Sequence, residues 1–396
     1  MDTKDLFDTL AAEEQPPTTV DVRRAVAAGR ATRRRRRTAL TAGALAVSLT
    51  GTLTWYGLDG RVWNDHAATV VRETADEAVL PASGVGPLSH AYYDWCGEKW
   101  RPGQGAPFAG RDCVQWKVVT RDGRTYRMPE AMSVYVDQTE ANYMNTAAPL
   151  VITPDGRRIA YYSAEEERFA VRDLASGRIW LTPQTVSREE MVKGGVHISF
   201  SPEGRYITLS GRVQAVVDME TRRVTNVPQG WQAMSVAAGG SRVIVTNDMG
   251  RHGLLKGGEV RPFIGAKEAS LSALAPDGRT VAYLDGYVSP PKGGGNSRPD
   301  DTVVTLDATT GEVLRRVRFR DAPKGFRPWR IGSWRRSTEV VVTDVVTNRP
   351  RWEMKTGEVP RVGETAYAID VTTGKVRKLG TYTFRGWSGD VVIPGM

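Results

Sequence analysis

Cysteine and histidine are scarce in this chain. Two cysteines among 396 residues exclude a disulfide-dense scaffold and a zinc cluster built on cysteine. The four histidines, His66, His90, His197 and His252, are too scattered to supply a multi-histidine metal site. No Gly-x-Ser-x-Gly elbow, His-Glu-x-x-His pair or Walker A loop occurs. The Gly-rich stretches Gly103–Gly110 and Lys292–Asn296 neither follow a strand pattern nor open a helix, so they read as loops. No Asp-x-Asp-x-Asp-Gly calcium loop is present. The expectation is therefore a non-enzyme with no catalytic residue, no cofactor and no metal.

What the chain does contain is turn formers and a core. Its 41 Gly and 22 Pro suit many short turns rather than long helices. A 40% hydrophobic and 25% charged composition excludes wholesale disorder. The length allows two or three domains, or one repeat domain with extras. The net charge of +9 is unevenly placed: residues 1–37 hold nine cations against six acids. The remaining +6 is spread over a long solvated surface, so nucleic-acid binding is not expected.

Residues 38–58, TALTAGALAVSLTGTLTWYGL, carry no charge. A helix of about 20 residues crosses a bilayer, and Trp55 and Tyr56 sit at the far end, where aromatic rings favour the interface. Arg33, Arg34, Arg35, Arg36 and Arg37 precede the stretch and orient it with the N-terminus in the cytoplasm. This predicts a single-pass cell-membrane protein with an extracytoplasmic remainder. A cleaved signal, even of twin-arginine type at Arg36-Arg37, is the competing reading. Against it stand the long 1–37 segment and the lack of a small-x-small site after Leu58. No cysteine follows the apolar run directly, which excludes a lipoprotein. Residues 59–112 read as a stalk and a lead-in. In an oxidising compartment Cys96 and Cys113 are expected to form a disulfide that closes the lead-in, worth about 3 kcal/mol by loop entropy; two buried free thiols are the alternative.

Within the tail, Leu6, Phe7, Leu10 and Ala11 share one helical face. Pro16-Pro17 breaks the chain, and Thr19 or Asp21 can cap a second helix. A disordered tail is the alternative. In the Asp5–Leu10 opening, Val20-Asp21-Val22 and the arginine-rich stop, the tail resembles those of actinobacterial membrane proteins associated with extracytoplasmic-function sigma factors. The resemblance implies a sigma-factor contact at residues 1–30. It departs from the zinc-binding anti-sigma pattern, because residues 1–37 contain neither Cys nor His. Such a contact would be zinc-free.

From about residue 113 two elements alternate. One is strand, Pro-acid-Gly-Arg turn, strand, at Pro154–Arg157, Pro202–Arg205 and Pro276–Arg279. Pro presets φ for such a turn and Gly accepts positive φ. The other is strand, Asp-x-x-Ser/Thr-Gly, strand, at Asp173–Gly177, Asp307–Gly311 and Asp370–Gly374. Asp218–Arg222 has Arg in place of the Gly. Each pair supplies four strands, one propeller blade. The resulting pattern over 113–396 resembles a WD-repeat-like or TolB-like β-propeller. It lacks the Gly-His and Trp-Asp signature of true WD repeats, so the TolB-like bacterial type is the better match.

The expectation is thus an all-β propeller of about six blades, with room for a seventh at 86–112. Five blades are expected near 148–183, 196–228, 234–264, 271–319 and 330–380. The sixth would close the ring with two strands from TYTFRGWSGDVVIPG and two from VQWKVVTRDGRTYRM.

Function is then expected to be binding or sensing, with a protein partner or an envelope ligand at one propeller face. Candidate residues there are Trp231, Trp329, Arg330, Arg335, Lys292 and Asn296, because Trp and Arg dominate binding hot spots. Trp231 and Trp329 occupy equivalent repeat positions, each four residues before a Ser, which equally suits packing between blades. Trp334 aligns with Val236 and is expected in the core. An exported binding module whose tail serves only insertion is one alternative. A propeller enzyme with a central-channel site is the other.

Overall fold

The repeated strand–turn–strand elements form antiparallel sheets that follow one another as the blades of a closed ring. The computed structural model describes residues 78–94, 115–132, 134–135, 146–194, 196–263, 271–285, 301–347, 361–385 and 391–396. The chain divides into compact units at 1–63 and 64–396, and every described residue belongs to the second. The expected tail, membrane segment and Arg33–Arg37 lie outside the described residues, as do Cys96, Cys113, Lys292 and Asn296.

Blade one holds β1 (Leu88–Asp94), β2 (Gln115–Thr120) and β3 (Thr125–Met128). A small ladder of β4 (Val134–Tyr135) and β5 (Thr146–Ala147) follows. Blade two is β6 (Leu150–Ile152), β7 (Arg158–Ser163), β8 (Arg168–Asp173) and β9 (Ile179–Leu181). After one short helix, α1 (Arg188–Gly194), comes blade three: β10 (His197–Phe200), β11 (Tyr206–Ser210), β12 (Ala215–Asp218) and β13 (Val224–Asn226). Blade four is β14 (Trp231–Val236), β15 (Arg242–Asn247), β16 (His252–Lys256) and β17 (Glu259–Phe263). Blade five is β18 (Thr280–Leu284), β19 (Thr302–Asp307) and β20 (Val313–Arg318), with Leu271 bridging Tyr283 as the remnant of its first strand. Blade six is β21 (Pro328–Trp334), β22 (Glu339–Thr347), β23 (Arg361–Asp370) and β24 (Val376–Arg385).

The core is distributed rather than central. Among the described residues six hydrophobic clusters occur, one at each junction between neighbouring blades. This explains the strand sequences. Side chains alternate across a strand, and a blade has a neighbour on both faces, so its middle strands are apolar throughout. In β7, Ile159 and Tyr161 pack toward blade one while Ala160 and Tyr162 pack toward blade three.

The two sequence motifs meet at one edge of blades two, three and five. The turn between first and second strands carries the Arg, and the turn between third and fourth carries the Asp. Arg205 donates to both oxygens of Asp218, at 3.1 and 2.7 Å, and Arg279 Nε donates to Asp307 at 2.5 Å. Each Asp also caps its own turn: Asp370 Oδ1 accepts from the N–H groups of Thr372 and Thr373 at 2.9 and 2.8 Å. Neighbouring blades interlock at this edge. Arg158 donates to Gly204 O at 3.1 Å, and Arg242 makes the equivalent bond to Gly278 O. Gly156 has φ of 76° and accepts the Leu88 N–H at 2.8 Å; a Cβ there would meet Leu88 O.

Ring closure differs from the expectation in its share of strands. Val392 pairs with Ala91 on the free edge of β1, with mutual N–H···O bonds of 2.9 and 2.8 Å. The last residues thus supply one strand and the front of the chain supplies three. TYTFR is not a closing strand, because β23 and β24 run ten residues each and carry it in blade six. Leu88–Asp94, in the stretch expected as lead-in, belongs to the sheet of blade one instead of a seventh blade. Ahead of it, Leu80 N–H donates to Arg127 O at 2.8 Å and Val85 N–H to Leu174 O at 3.0 Å, tying blades one and two. The described residues contain almost no helix, and none long and apolar enough to cross a membrane.

Candidate functional site

Of the two blade edges, the one bearing the Asp and Arg turns is occupied with structural bonds. At the opposite edge the chain enters each first strand. Here blades five and six offer the most developed group of side chains. The connection from β20 to β21 folds over Phe319 and Phe326, whose rings meet edge to face at 5.6 Å; Phe326 also meets Tyr367 at 4.7 Å. Asp301, Phe319, Ala322, Pro323, Gly325, Phe326 and Arg327 line a cavity of about 260 Å³.

Next to it the chain enters β21 through a register shift between Pro328 and Arg330. A bulge re-aims the side chains around it, and Trp329 sits on it. The Arg330 guanidinium lies 3.9 Å from the centre of the Trp329 ring, a cation–π stack. Its Nη1 is 3.7 Å from Oε1 of Glu364, a carboxylate only 2% exposed. The indole Nε1 of Trp329 is buried and has no hydrogen-bond partner among the described residues. Arg327 N–H donates to Asp344 Oδ2 at 3.1 Å. The group therefore combines a flat aromatic face, two guanidinium groups and three carboxylates in and beside a small, largely polar cavity. It suits polar recognition, and nothing in it sets a nucleophile against a base.

The candidates from the sequence divide in space. Trp329 and Arg330 are together. Trp231 opens β14, opposite Asn247, at the equivalent place in blade four, and packs against the cluster between blades three and four. Blade five separates it from Trp329. Arg335 lies just past the far end of β21, at the edge with the structural turns, where its N–H bonds Glu339 O at 2.9 Å. Trp334 is 7% exposed, and its Nε1 donates to Ala273 O at 2.8 Å, as a core residue should. Ser235 and Ser333 are both buried. Sequence reasoning missed Asp344 and Glu364. Their signal was one charge inside an otherwise uncharged run, VVVTDVV and VGETAYAI.

No family model matches the chain, and no curated protein matches it in sequence. Solved structures do share its outline at low similarity. Hydrazine synthase of Kuenenia stuttgartiensis is 15% identical, over 62% of this chain and 69% of that one, with a TM-score of 0.37. Dipeptidyl peptidase 4 of Porphyromonas gingivalis is 11% identical over 60% of this chain, with a TM-score of 0.34; the match spans only 40% of the peptidase. The β-propeller domain of Myceliophteria thermophila Cps50 (Swd1) is 9% identical, over 61% and 86% of the two chains, with a TM-score of 0.34. The six-bladed fold rests on the sheets and junctions described above.

Proposed function

We propose that this chain is a membrane-anchored, single-pass protein whose propeller, of the TolB-like type, lies outside the cytoplasm and works as a binding and sensing module. Its tail contacts a cytoplasmic protein of the sigma-factor class through residues 1–30. The uncharged 38–58 stretch behind five arginines supports the anchor, and the layout of the tail supports the contact. The binding role is carried by one observation: the Arg330–Trp329 stack, backed by buried Glu364, beside the cavity under Phe326. Trp and Arg with fixed neighbours offer area and forked donors at low entropic cost.

A photo-crosslinking residue at position 329 of the full chain, in membranes, tests the face. It should capture a specific partner that the same residue at Ile179, on the outer strand of blade two, does not. Trp329→Ala with Arg330→Ala should abolish that partner's binding. Unchanged binding by the double variant ends the assignment. Deletion of residues 2–29, keeping Arg33–Arg37, should release the cytoplasmic partner alone. Identical captures with and without those residues would reduce the tail to a topology signal.

A further inference from the structure

The outer strands of blades five and six carry a band of cations that runs up to the proposed binding face at Lys324. Arg315, Arg316, Arg318, Arg320 and Lys324 are all exposed along β20 and its continuation. This segment is joined to the start of β24. Arg320 N–H donates to Gly374 O at 2.8 Å, Val376 N–H donates to Arg320 O at 2.9 Å, and Arg315 reaches Thr372 O at 3.3 Å. Lys375 and Lys378, both exposed, therefore extend the same surface. Arg316 is paired with Asp285 and Arg377 with Glu339. Arg318, Arg320, Lys324, Lys375 and Lys378 have no ionic partner among the described residues. Glu312 and Asp321 are the exposed acids along this stretch. At the head of β20, Val313 and Leu314 are 45% and 50% exposed.

We infer that this rim docks on an anionic lipid surface. Unpaired like charges repel one another, and an anionic partner relieves that repulsion. The adjoining apolar pair narrows the choice of partner. Val313 and Leu314 can sink to the headgroup boundary while arginine and lysine stems reach the phosphates, as at membrane interfaces. A nucleic acid would call for aromatic platforms, and no aromatic residue of 313–324 or 375–378 is exposed. The surface is separate in sequence from 38–58, so it stands whether or not that stretch is an anchor.

The test uses residues 64–396, the compact unit that contains every described strand and both parts of the closing blade but lacks 38–58. Co-sedimentation is measured with phosphatidylcholine vesicles and with equimolar phosphatidylcholine and phosphatidylglycerol. Binding should appear only with the anionic lipid and weaken with salt. Arg318→Glu with Lys375→Glu and Lys378→Glu should lower affinity about a hundredfold, at about fivefold per cation. Arg223→Glu with Arg261→Glu, exposed on blades three and four, should leave it unchanged. Equal binding to both vesicles, an unaffected triple variant, or tighter binding to a short DNA duplex would each overturn the inference. Loss of the full chain's stable insertion into neutral membranes would bear on the anchor alone.

Discussion

Acidification should open the ring at its closing junction, and His90 is the reason. His90 lies in β1 at 2% exposure, stacked on Tyr92 at 6.0 Å and against Tyr382 at 5.2 Å. Its Nδ1 is 3.2 Å from Ser89 Oγ, and its Nε2 has no partner among the described residues. Burial without a compensating anion pushes its pKa down to about 4. The unfolded chain titrates near 6.5, so the unfolded state binds the proton first. Stability is therefore full above about pH 7 and falls as the pH drops through 6.5 toward 4. Linkage gives a loss of about 2 kcal/mol at pH 5 and about 3 kcal/mol at pH 4. Tyr92 belongs to the cluster that holds Val391 and Ile393, and Tyr382 packs against it, so the penalty falls where the C-terminal strand closes the ring. Urea unfolding of the wild type and His90→Phe at pH 7.5 and 5 measures it. The readout is the difference between the two pH values for each protein, which cancels any change in baseline stability. A variant that still loses about 2 kcal/mol, or a wild type that loses none, refutes the argument.

Three further outcomes follow from the turns and the closure. Arg222 adopts φ of 62° where the sister hairpins place Gly177, Gly311 and Gly374 at 73°, 77° and 77°. Arg222→Gly should therefore stabilise the fold by about 0.5–1 kcal/mol in urea titration, and a loss of stability would contradict the strain argument. Hydrogen bonding from Arg279 holds the buried Asp307 carboxyl down to about 2. Its depressed pKa stabilises above about pH 4 and is lost as pH falls through 2, so Asp307→Asn should flatten the acid limb by about 2 kcal/mol below pH 4. Ile393, 3% exposed, anchors the closing strand; Ile393→Ala should cost about 3 kcal/mol and speed hydrogen exchange in β1 before β11, whereas uniform acceleration would deny a local closure.

The blades were legible because each middle strand must face two neighbours and each hairpin needs the same turn chemistry. Five expected blades coincide with sheets to within a few residues, from 148–183 against Leu150–Leu181 to 271–319 against Leu271–Arg318. The closing blade was less legible because its strands lie far apart in sequence and lack the turn motif. Residues 391–393 make one bridge, whereas β24 continues through TYTFR because β23 offers it nine paired residues. The site was half legible. Repeat alignment placed Trp231 and Trp329 alike, since both open a first strand. It carried no information on the one blade that separates them, nor on Arg335 leaving the same strand six residues later at the opposite edge. Glu364 and Asp344 depend on cross-strand register, which only the folded sheet supplies.

The two edges of the ring divide the polar residues by task. At the turn edge, every motif Asp is matched to hydroxyls and N–H groups of its own turn, and Asp173, Asp218 and Asp307 also to an Arg of the same blade. Their lowered pKa values reflect those bonds, so a cluster of perturbed carboxylates here signals folding rather than chemistry. At the other edge, Glu364 is as buried as Asp307 but stands 3.7 Å from a guanidinium that is itself stacked on an indole with an unmatched N–H. A buried donor left without a partner costs stability. Trp180 likewise leaves a buried indole N–H unmatched among the described residues, so the proposed binding role rests on the Arg330–Trp329 stack and not on that donor. The basic rim of blades five and six differs from the arginines of the turns: Arg158, Arg205 and Arg279 pair with an Asp of their own blade, whereas Arg318, Arg320, Lys324, Lys375 and Lys378 have no ionic partner among the described residues.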